Sequence, residues 1–213
     1  MRTTRTARRR AVLATGAALT ALLAACGGGG ATDSAPNAAP GSAPPASSSA
    51  ATAEHNDADI RFAQMMIPHH RQAVAMAEVA ADRADSQPVT DLADQIRAAQ
   101  EPEIATLTGF LQAWGAEVPA DGGMGGMDHS GMAPGGMTGM TTPEQMDQLE
   151  VASGTVFDAM FLQMMIAHHE GAITDAQAEL AEGSNPQAKD LAQKIVDDQR
   201  AEIAQMQQLL QAS

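Results

Sequence analysis

An internal duplication constrains the fold of this chain more than any other feature. Residues 59–113 align without a gap on residues 158–212, every position offset by 99, and 21 of the 55 pairs are identical. The identical pairs include Met65-Met66-Ile67 with Met164-Met165-Ile166, His69-His70 with His168-His169, and Glu103-Ile104-Ala105 with Glu202-Ile203-Ala204. Self-similarity at a fixed offset indicates that one structural unit occurs twice.

Each copy contains two helical patterns, because apolar residues recur at spacings of three and four. In the first copy the patterns run from about residue 57 to 83 and from about 89 to 114, with a break at Ser86-Gln87-Pro88. The second copy breaks at Gly183-Ser184-Asn185-Pro186, where glycine can end one helix and proline can begin the next. One helical hairpin is too thin to bury its apolar face, so two copies predict an all-α four-helix bundle built from two duplicated hairpins.

The amino terminus has the features of an export signal. Residues 1–25 hold five arginines and an apolar run of 13 residues from Ala11 to Leu23, which is short of the roughly 20 residues that span a bilayer. Leu23-Ala24-Ala25-Cys26 resembles the bacterial lipobox, whose cysteine is acylated after cleavage. We therefore predict a lipid anchor at Cys26, an extracytoplasmic location and a membrane partner; the alternative is a free thiol behind an ordinary signal peptide. The arginine-rich head leaves the export route open between the general secretory and twin-arginine pathways.

Composition separates the rest of the chain into a tether and a folded part. Residues 26–53 are rich in Gly, Ala, Pro and Ser and predict a disordered tether, which leaves residues 54–213 for the bundle. Between the repeats, residues 120–142 hold many glycines and methionines and predict a mobile loop.

The charge balance argues against nucleic acid as a partner. Removal of residues 1–25 leaves 7 basic and 26 acidic side chains, a formal charge of −19. Phosphate binding needs a basic face, which such a chain lacks. Two explanations of the acidity remain open, namely local enrichment of cations and simple solubility.

The repeated Met-Met-Ile-x-His-His motif carries the clearest chemistry. On a helix Met66 lies three residues before His69 and four before His70, so thioether and imidazole can converge. Adjacent histidines diverge by about 100° on a helix, so we expect one of each pair to face the core and the other its edge. Such soft donors favour Cu(I). The methionines can equally serve as core filling, but a repeated histidine pair in a core needs a polar partner or an ion.

Four carboxylates fall on faces predicted to point inward, namely Asp59, Glu103, Asp158 and Glu202. Two interpretations are open. They can pair with His69 or His168 and orient them as ligands, or they can sit at helix ends, where the helix dipole favours a negative charge.

The connecting loop supplies a second set of soft donors. Met127, His129 and Met132 lie within a stretch that holds five methionines in 19 residues, from Gly122 to Met140. This stretch resembles segments of extracytoplasmic copper-resistance proteins, although a low-complexity linker with incidental methionines remains an alternative.

The motif Asp-x-x-Phe-x-x-Met-Met-Ile-x-His-His, present in both halves, resembles the signature of the domain of unknown function 305 (CopM-like) family, and the likeness covers residues 57–213. The resemblance implies a ferritin-like four-helix bundle and, as in some members, copper binding in the periplasm. The metal-site residues that it implies are Met65, Met66, His69, His70, Met76, Met164, Met165, His168 and His169. In the second half the position equivalent to Met76 is Asp175, so the two halves are not expected to have equivalent metal sites.

These observations predict a protein that binds, sequesters or delivers copper or silver and is not an enzyme, with protein partners left unknown. A metal-free structural or interaction bundle is the first alternative. A ferritin-like oxidoreductase is the second, but such sites usually need Glu-x-x-His on two helices, and this sequence has none.

Overall fold

The computed structural model describes residues 54–120 and 138–212, which form five helices. These are α1 (Asp57–Arg83), α2 (Gln87–Trp114), α3 (Pro143–Val151), α4 (Gly154–Glu182) and α5 (Pro186–Ala212). The bounds of α1 agree with the prediction, whereas α2 begins two residues earlier because Pro88 is accepted in the first turn of a helix. Helix α3 was not predicted, since it lies outside the duplicated region.

Local chemistry sets the ends of the long helices. The Asn56 side chain caps α1 by accepting hydrogen bonds from the backbone N–H groups of Ala58 and Asp59. In turn, the Asp59 carboxylate accepts a hydrogen bond from the backbone N–H of Asn56. Gly183 ends α4 and Pro186 begins α5, as the sequence indicated. These devices satisfy backbone groups that the helix itself leaves without partners.

The four long helices form a closed bundle, so the predicted all-α four-helix bundle is confirmed. Helix α1 packs on α2 within the first repeat, and α4 packs on α5 within the second. The two hairpins meet through α1 against α4 and through α2 against α5. The short α3 contacts α1 and α4. Within the described ranges no helix combines the length and the apolarity needed to cross a membrane.

The core consists of two apolar clusters that occupy different stretches of the helices. We call one the Phe62 cluster, with Met66, Ile67, Leu107 and Ile195 among its members. We call the other the Phe157 cluster, with Met76, Ile96, Phe161 and Met165 among its members. Full burial of one such side chain is worth roughly 1.5–3 kcal/mol, so the clusters supply most of the force that holds the hairpins together.

Two aspartates tie the repeats to each other. Asp59 on α1 accepts hydrogen bonds from the backbone of Ser184 and Asn185, at the turn before α5. The equivalent Asp158 on α4 accepts bonds from the backbone of Asp85 and Ser86, before α2. Each aspartate therefore caps a helix of the other repeat, and the helix-end interpretation of these two carboxylates is correct in this exchanged form.

Candidate metal centre

A layer of polar side chains separates the two apolar clusters. Every long helix contributes to it, since each runs from one cluster through polar residues into the other. The members of this polar layer are His69, His70 and Gln72 from α1, Gln100 and Glu103 from α2, His168 and His169 from α4, and Gln199 and Glu202 from α5. All are buried except Glu202, whose side chain is 16% exposed. A polar layer in a core is costly unless its groups find partners.

Two equivalent histidines meet at the centre of this layer. His69 from α1 and His168 from α4 have ring centroids 3.8 Å apart with the rings tilted by 44°. His70 and His169 lie outside this pair, with centroids 6.5 and 6.4 Å from their sequence neighbours. All four rings are at most 1% exposed, so the expectation that one histidine of each pair faces the edge is wrong. The helices on both sides cover the second histidine as well.

Burial keeps the central imidazoles neutral. Loss of water, reinforced by the neighbouring imidazoles, lowers the pKa of His69 to about 3. The same causes lower the pKa of His168 well below its ordinary value. Two imidazolium ions at this separation would also repel each other strongly. The pair therefore offers lone pairs rather than positive charge at neutral pH.

The outer histidines are each held by a glutamate of the same repeat. His70 Nε2 lies 2.8 Å from an oxygen of Glu103, and His169 Nε2 lies 2.7 Å from an oxygen of Glu202. The inward orientation predicted for both glutamates is confirmed, but their partners are His70 and His169 rather than His69 or His168. Sequence spacing missed this because it fixes the angle around a helix and not the neighbour across the interface.

These contacts determine which nitrogen of three rings carries the proton. The carboxylates of Glu103 and Glu202 accept hydrogen bonds, so Nε2 of His70 and of His169 must be the donor. His69 Nε2 faces the carbonyl oxygen of Thr138 at 3.3 Å, which can also only accept. In the neutral form of each of these three rings, Nδ1 then carries the lone pair.

Those lone pairs have no hydrogen-bond partner among the described residues. The buried atoms without a partner are Nδ1 of His69, His70 and His169 and both ring nitrogens of His168. The same is true of both polar atoms of Gln100 and of Gln199. Neutral imidazole nitrogens with no donor opposite them suit a metal ion. Within residues 54–120 and 138–212, no three side chains among His, Cys, Asp and Glu are grouped to hold an ion without further donors.

The motif methionines lie on both sides of the polar layer. Met66 belongs to the Phe62 cluster, whereas Met76 and Met165 belong to the Phe157 cluster, and Met164 packs against the latter. Met76 also accepts a hydrogen bond from the Thr141 hydroxyl, with oxygen and sulfur 3.6 Å apart. Core filling accounts for these positions, and the prediction that the same sulfurs bind an ion stays open.

Asp175 and Glu179 distinguish the two halves of the α1–α4 interface. Both line a small cleft with Met65 and Phe62. Burial raises the pKa of Asp175 to about 6. The counterparts of Asp175 and Glu179 in the first repeat are Met76 and Ala80, which are packed in the Phe157 cluster. The expected inequivalence of the halves therefore has a structural basis.

The segment Thr138–Thr141, which we call the strap, lies directly over the central histidine pair. Gln72 holds it through two buried bonds of 2.7 Å, one to the backbone oxygen and one from the backbone N–H of Thr141. Gly171 lets it approach α4, since a Cβ at Gly171 would lie 1.8 Å from the Thr138 oxygen. Gly139 has φ +82°, which favours glycine. Gln72 and Gly171 occupy equivalent repeat positions, and this difference was the available sequence signal.

Several predicted site residues fall in parts of the chain that the structure does not describe. Cys26 and the loop donors Met127, His129 and Met132 lie outside the described residues, as do the signal peptide and the tether. The loop of residues 120–142 is described only at its ends, where the strap is fixed to the bundle.

Comparisons with known proteins agree with this architecture. The family model described as "Domain of unknown function (DUF305)" matches residues 59–210. A DUF305 crystal structure from Streptomyces coelicolor matches with a TM-score of 0.63 and 33% identity, over 73% of this chain and 93% of that one. A DUF305 fragment from Deinococcus radiodurans gives 0.64 and 26%, over 74% and 98%.

Solved structures of CopM are also similar. The Cu(II)-bound form gives a TM-score of 0.60 and 35% identity, over 72% of this chain and 96% of that one. The Cu(I)-bound form gives 0.58 and 32%, over 72% and 96%, and there are Ag-bound forms as well. The search of curated proteins found no match.

Proposed function

This chain belongs to the DUF305 family, and from that premise we propose that it binds copper through the histidines of its polar layer. The observation that carries the proposal is the meeting of His69 and His168 from opposite repeats, both neutral and buried, with three of their four ring nitrogens lacking a partner. CopM, a solved relative, binds copper and silver. The ion is cargo, to be sequestered or handed on, and the protein is not an enzyme.

Cu(I) is the ion that the donor set favours. Neutral imidazole suits copper, and the thioethers of Met66 and Met165 immediately beside the layer add soft sulfur donors. Hard ions such as Mg²⁺ and Ca²⁺ prefer six or more oxygen ligands, which the layer does not offer among its described residues. Silver, which shares the preference for soft donors, is the second expected cargo.

The place of action that we propose is outside the cytoplasm, with the chain anchored at Cys26. Thioethers and imidazoles do not form disulfides, so a site of this kind remains intact in an oxidising compartment. The loop donors Met127, His129 and Met132 would then form an additional, weaker capture site.

Titration with Cu(I) against a competing chelator tests the proposal. We expect tight binding by the purified chain, and a loss of stoichiometry or affinity on His69→Ala and His168→Ala. Met127→Ala and Met132→Ala serve as matched controls that should weaken only additional sites. Absence of tight binding by the unaltered chain would refute the proposal.

Two other functions make opposite predictions. A metal-free structural bundle predicts that copper leaves thermal stability unchanged. In contrast, an ion that binds only the folded state and is present at a concentration about 100 times its Kd raises the free energy of unfolding by about 2.7 kcal/mol. A ferritin-like oxidoreductase predicts iron in the purified protein together with oxidase activity. Glu103 and Glu202, the carboxylates such a centre would need, instead hydrogen-bond histidine rings.

A further inference from the structure

The two histidine–glutamate pairs have the same geometry but different electrostatic surroundings. Glu103 uses one oxygen for His70 and the other for Lys194, whose Nζ lies 2.8 Å away. Lys194 also pairs with Asp198 at 2.6 Å. Among the described residues, no lysine or arginine forms an ion pair with Glu202.

The duplication explains how this difference arises. Lys194 lies on α5 and crosses to Glu103 on α2, so the second repeat supplies a cation to the first. The position equivalent to Lys194 in the first repeat is Gln95, an exposed neutral amide. This difference between the repeats leaves Glu103 shared between His70 and an ammonium group, whereas Glu202 pairs with His169 alone among the residues that the structure describes.

This difference bears on how strongly each outer histidine can bind an ion. A carboxylate that accepts the Nε2 proton fixes the ring orientation and makes Nδ1 a stronger donor. A lysine on the same carboxylate withdraws negative charge and weakens that effect, and it also places a positive charge close to any cation bound beside His70. Among the described residues Glu202 has no such lysine, so His169 retains the full effect.

We propose that Glu103 and Glu202 are positioning residues that commit His70 and His169 to binding through Nδ1. Lys194 then makes Cu(I) bind first at His169 and its neighbours, which we call the His169 half of the layer, and later at the equivalent His70 half. This inference rests on the proposed function, because it specifies donor atoms and the order of filling within the same layer. It goes beyond that function in assigning the asymmetry to one ion pair.

The tautomers can be read without any metal. Long-range proton–nitrogen NMR of the histidine rings in the metal-free chain should place the proton on Nε2 of both His70 and His169. Glu103→Gln and Glu202→Gln should each alter that signal in their own histidine only. Protonation at Nδ1 in the unaltered chain would overturn the assignment of donor atoms.

The order of filling is tested by adding Cu(I) stepwise and following the same ring signals. We expect the His169 signals to change at lower copper equivalents than those of His70. Lys194→Gln should make the Cu(I) affinities of the two halves more nearly equal, because it should raise the affinity of the His70 half about three- to tenfold. Gln95→Lys should lower that of the His169 half by a similar factor.

Lys189→Gln is the matched control, since it removes the same charge from the same helix but its ammonium group contacts the Gly183 carbonyl. It should leave the order of filling unchanged. Equal filling of both halves in the unaltered chain, or no response to Lys194→Gln, would overturn this inference and leave copper binding intact. Absence of any Cu(I) binding would overturn the proposed function itself, while the metal-free NMR signals would still report the tautomers.

Discussion

Replacement of Gly171 by alanine should detach the strap from the bundle. The new Cβ would lie 1.8 Å from the Thr138 oxygen, 2.4 Å from the Thr138 carbonyl carbon and 2.9 Å from the Gly139 Cα. All three are backbone atoms, so no flexible side chain can yield instead. The strap must retreat by about 1.7 Å to reach ordinary contact at about 3.5 Å.

A retreat of that size breaks the hydrogen bonds that hold the strap. The two bonds between Gln72 and Thr141 are each 2.7 Å long, and the contact between His69 and Thr138 is 3.3 Å. Each is worth about 1 kcal/mol net, which gives a loss of about 3 kcal/mol. Alanine in a helix interior returns about 1 kcal/mol relative to glycine, so we expect Gly171→Ala to destabilise the protein by about 2 kcal/mol.

Urea unfolding followed by the helical circular dichroism signal measures this change. Gly109→Ala is the matched control, because Gly109 lies inside α2 with no atom within 4 Å of its added Cβ, and it should be neutral or slightly stabilising. In the Gly171 variant the ring protons of His69 should also exchange faster with solvent. If Gly171→Ala is as stable as Gly109→Ala, the strap does not lie on α4 as described and the reasoning fails.

Three further predictions follow from the described contacts. Asp59→Ala should destabilise the protein more than Asp158→Ala, by at least about 1 kcal/mol in urea unfolding, because Asp59 accepts more backbone hydrogen bonds; equal losses would contradict this. Burial, helped by the neighbouring Asp59, raises the pKa of Glu179 to about 8, so the metal-free fold should lose on the order of 2 kcal/mol of stability as pH rises from about 5 to 8. This loss should be absent in Glu179→Gln, and parallel pH profiles of the two proteins would exclude Glu179 as its source. Saturating Cu(I) should raise the thermal midpoint of the unaltered chain but not of a His69→Ala, His168→Ala double variant, and an equal rise in both would place the stabilising ion elsewhere.

The low pKa of Asp59 adds a contribution of opposite sign to the pH dependence. Burial acts to raise the pKa of this carboxyl, but hydrogen bonds from the backbone N–H groups of Asn56, Asn185 and Ser184 outweigh it and hold the pKa below its ordinary value. The stability that Asp59 contributes is therefore present above its unfolded-state pKa and is lost as pH falls through its folded-state pKa. The loss of stability in acid and the loss between about pH 5 and 8 thus arise from two different carboxyl groups at one end of the bundle.

Helical periodicity predicted most of the fold because it reports which face of a helix is buried. It gave the bounds of α1 and placed one motif histidine and the glutamate of each repeat inside. It did not predict α3, and it assigned one histidine of each pair to the edge, because a periodic pattern in one helix carries no information about how widely its neighbours cover it.

The comparison between repeats held more information than either repeat alone. The pair Gln72 and Gly171 differs between the repeats: Gln72 on α1 hydrogen-bonds the strap, whereas Gly171 on α4 lets the strap approach closely. Lys194 against Gln95 marks the asymmetric ion pair. Such differences identify the positions, but their meaning appears only when the contacting atoms are known.

Sequence alone determined that this chain is a duplicated helical hairpin with histidine and methionine in its core, because spacing along the chain fixes what each helix must bury. Tertiary structure alone decided that His69 meets His168 while His70 and His169 bind glutamates, and that Asp59 and Asp158 cap each other's repeats. The physical reason is that pairing across an interface depends on the axial shift and rotation between helices. Those quantities are set by the packing of all four helices together and not by any one of them.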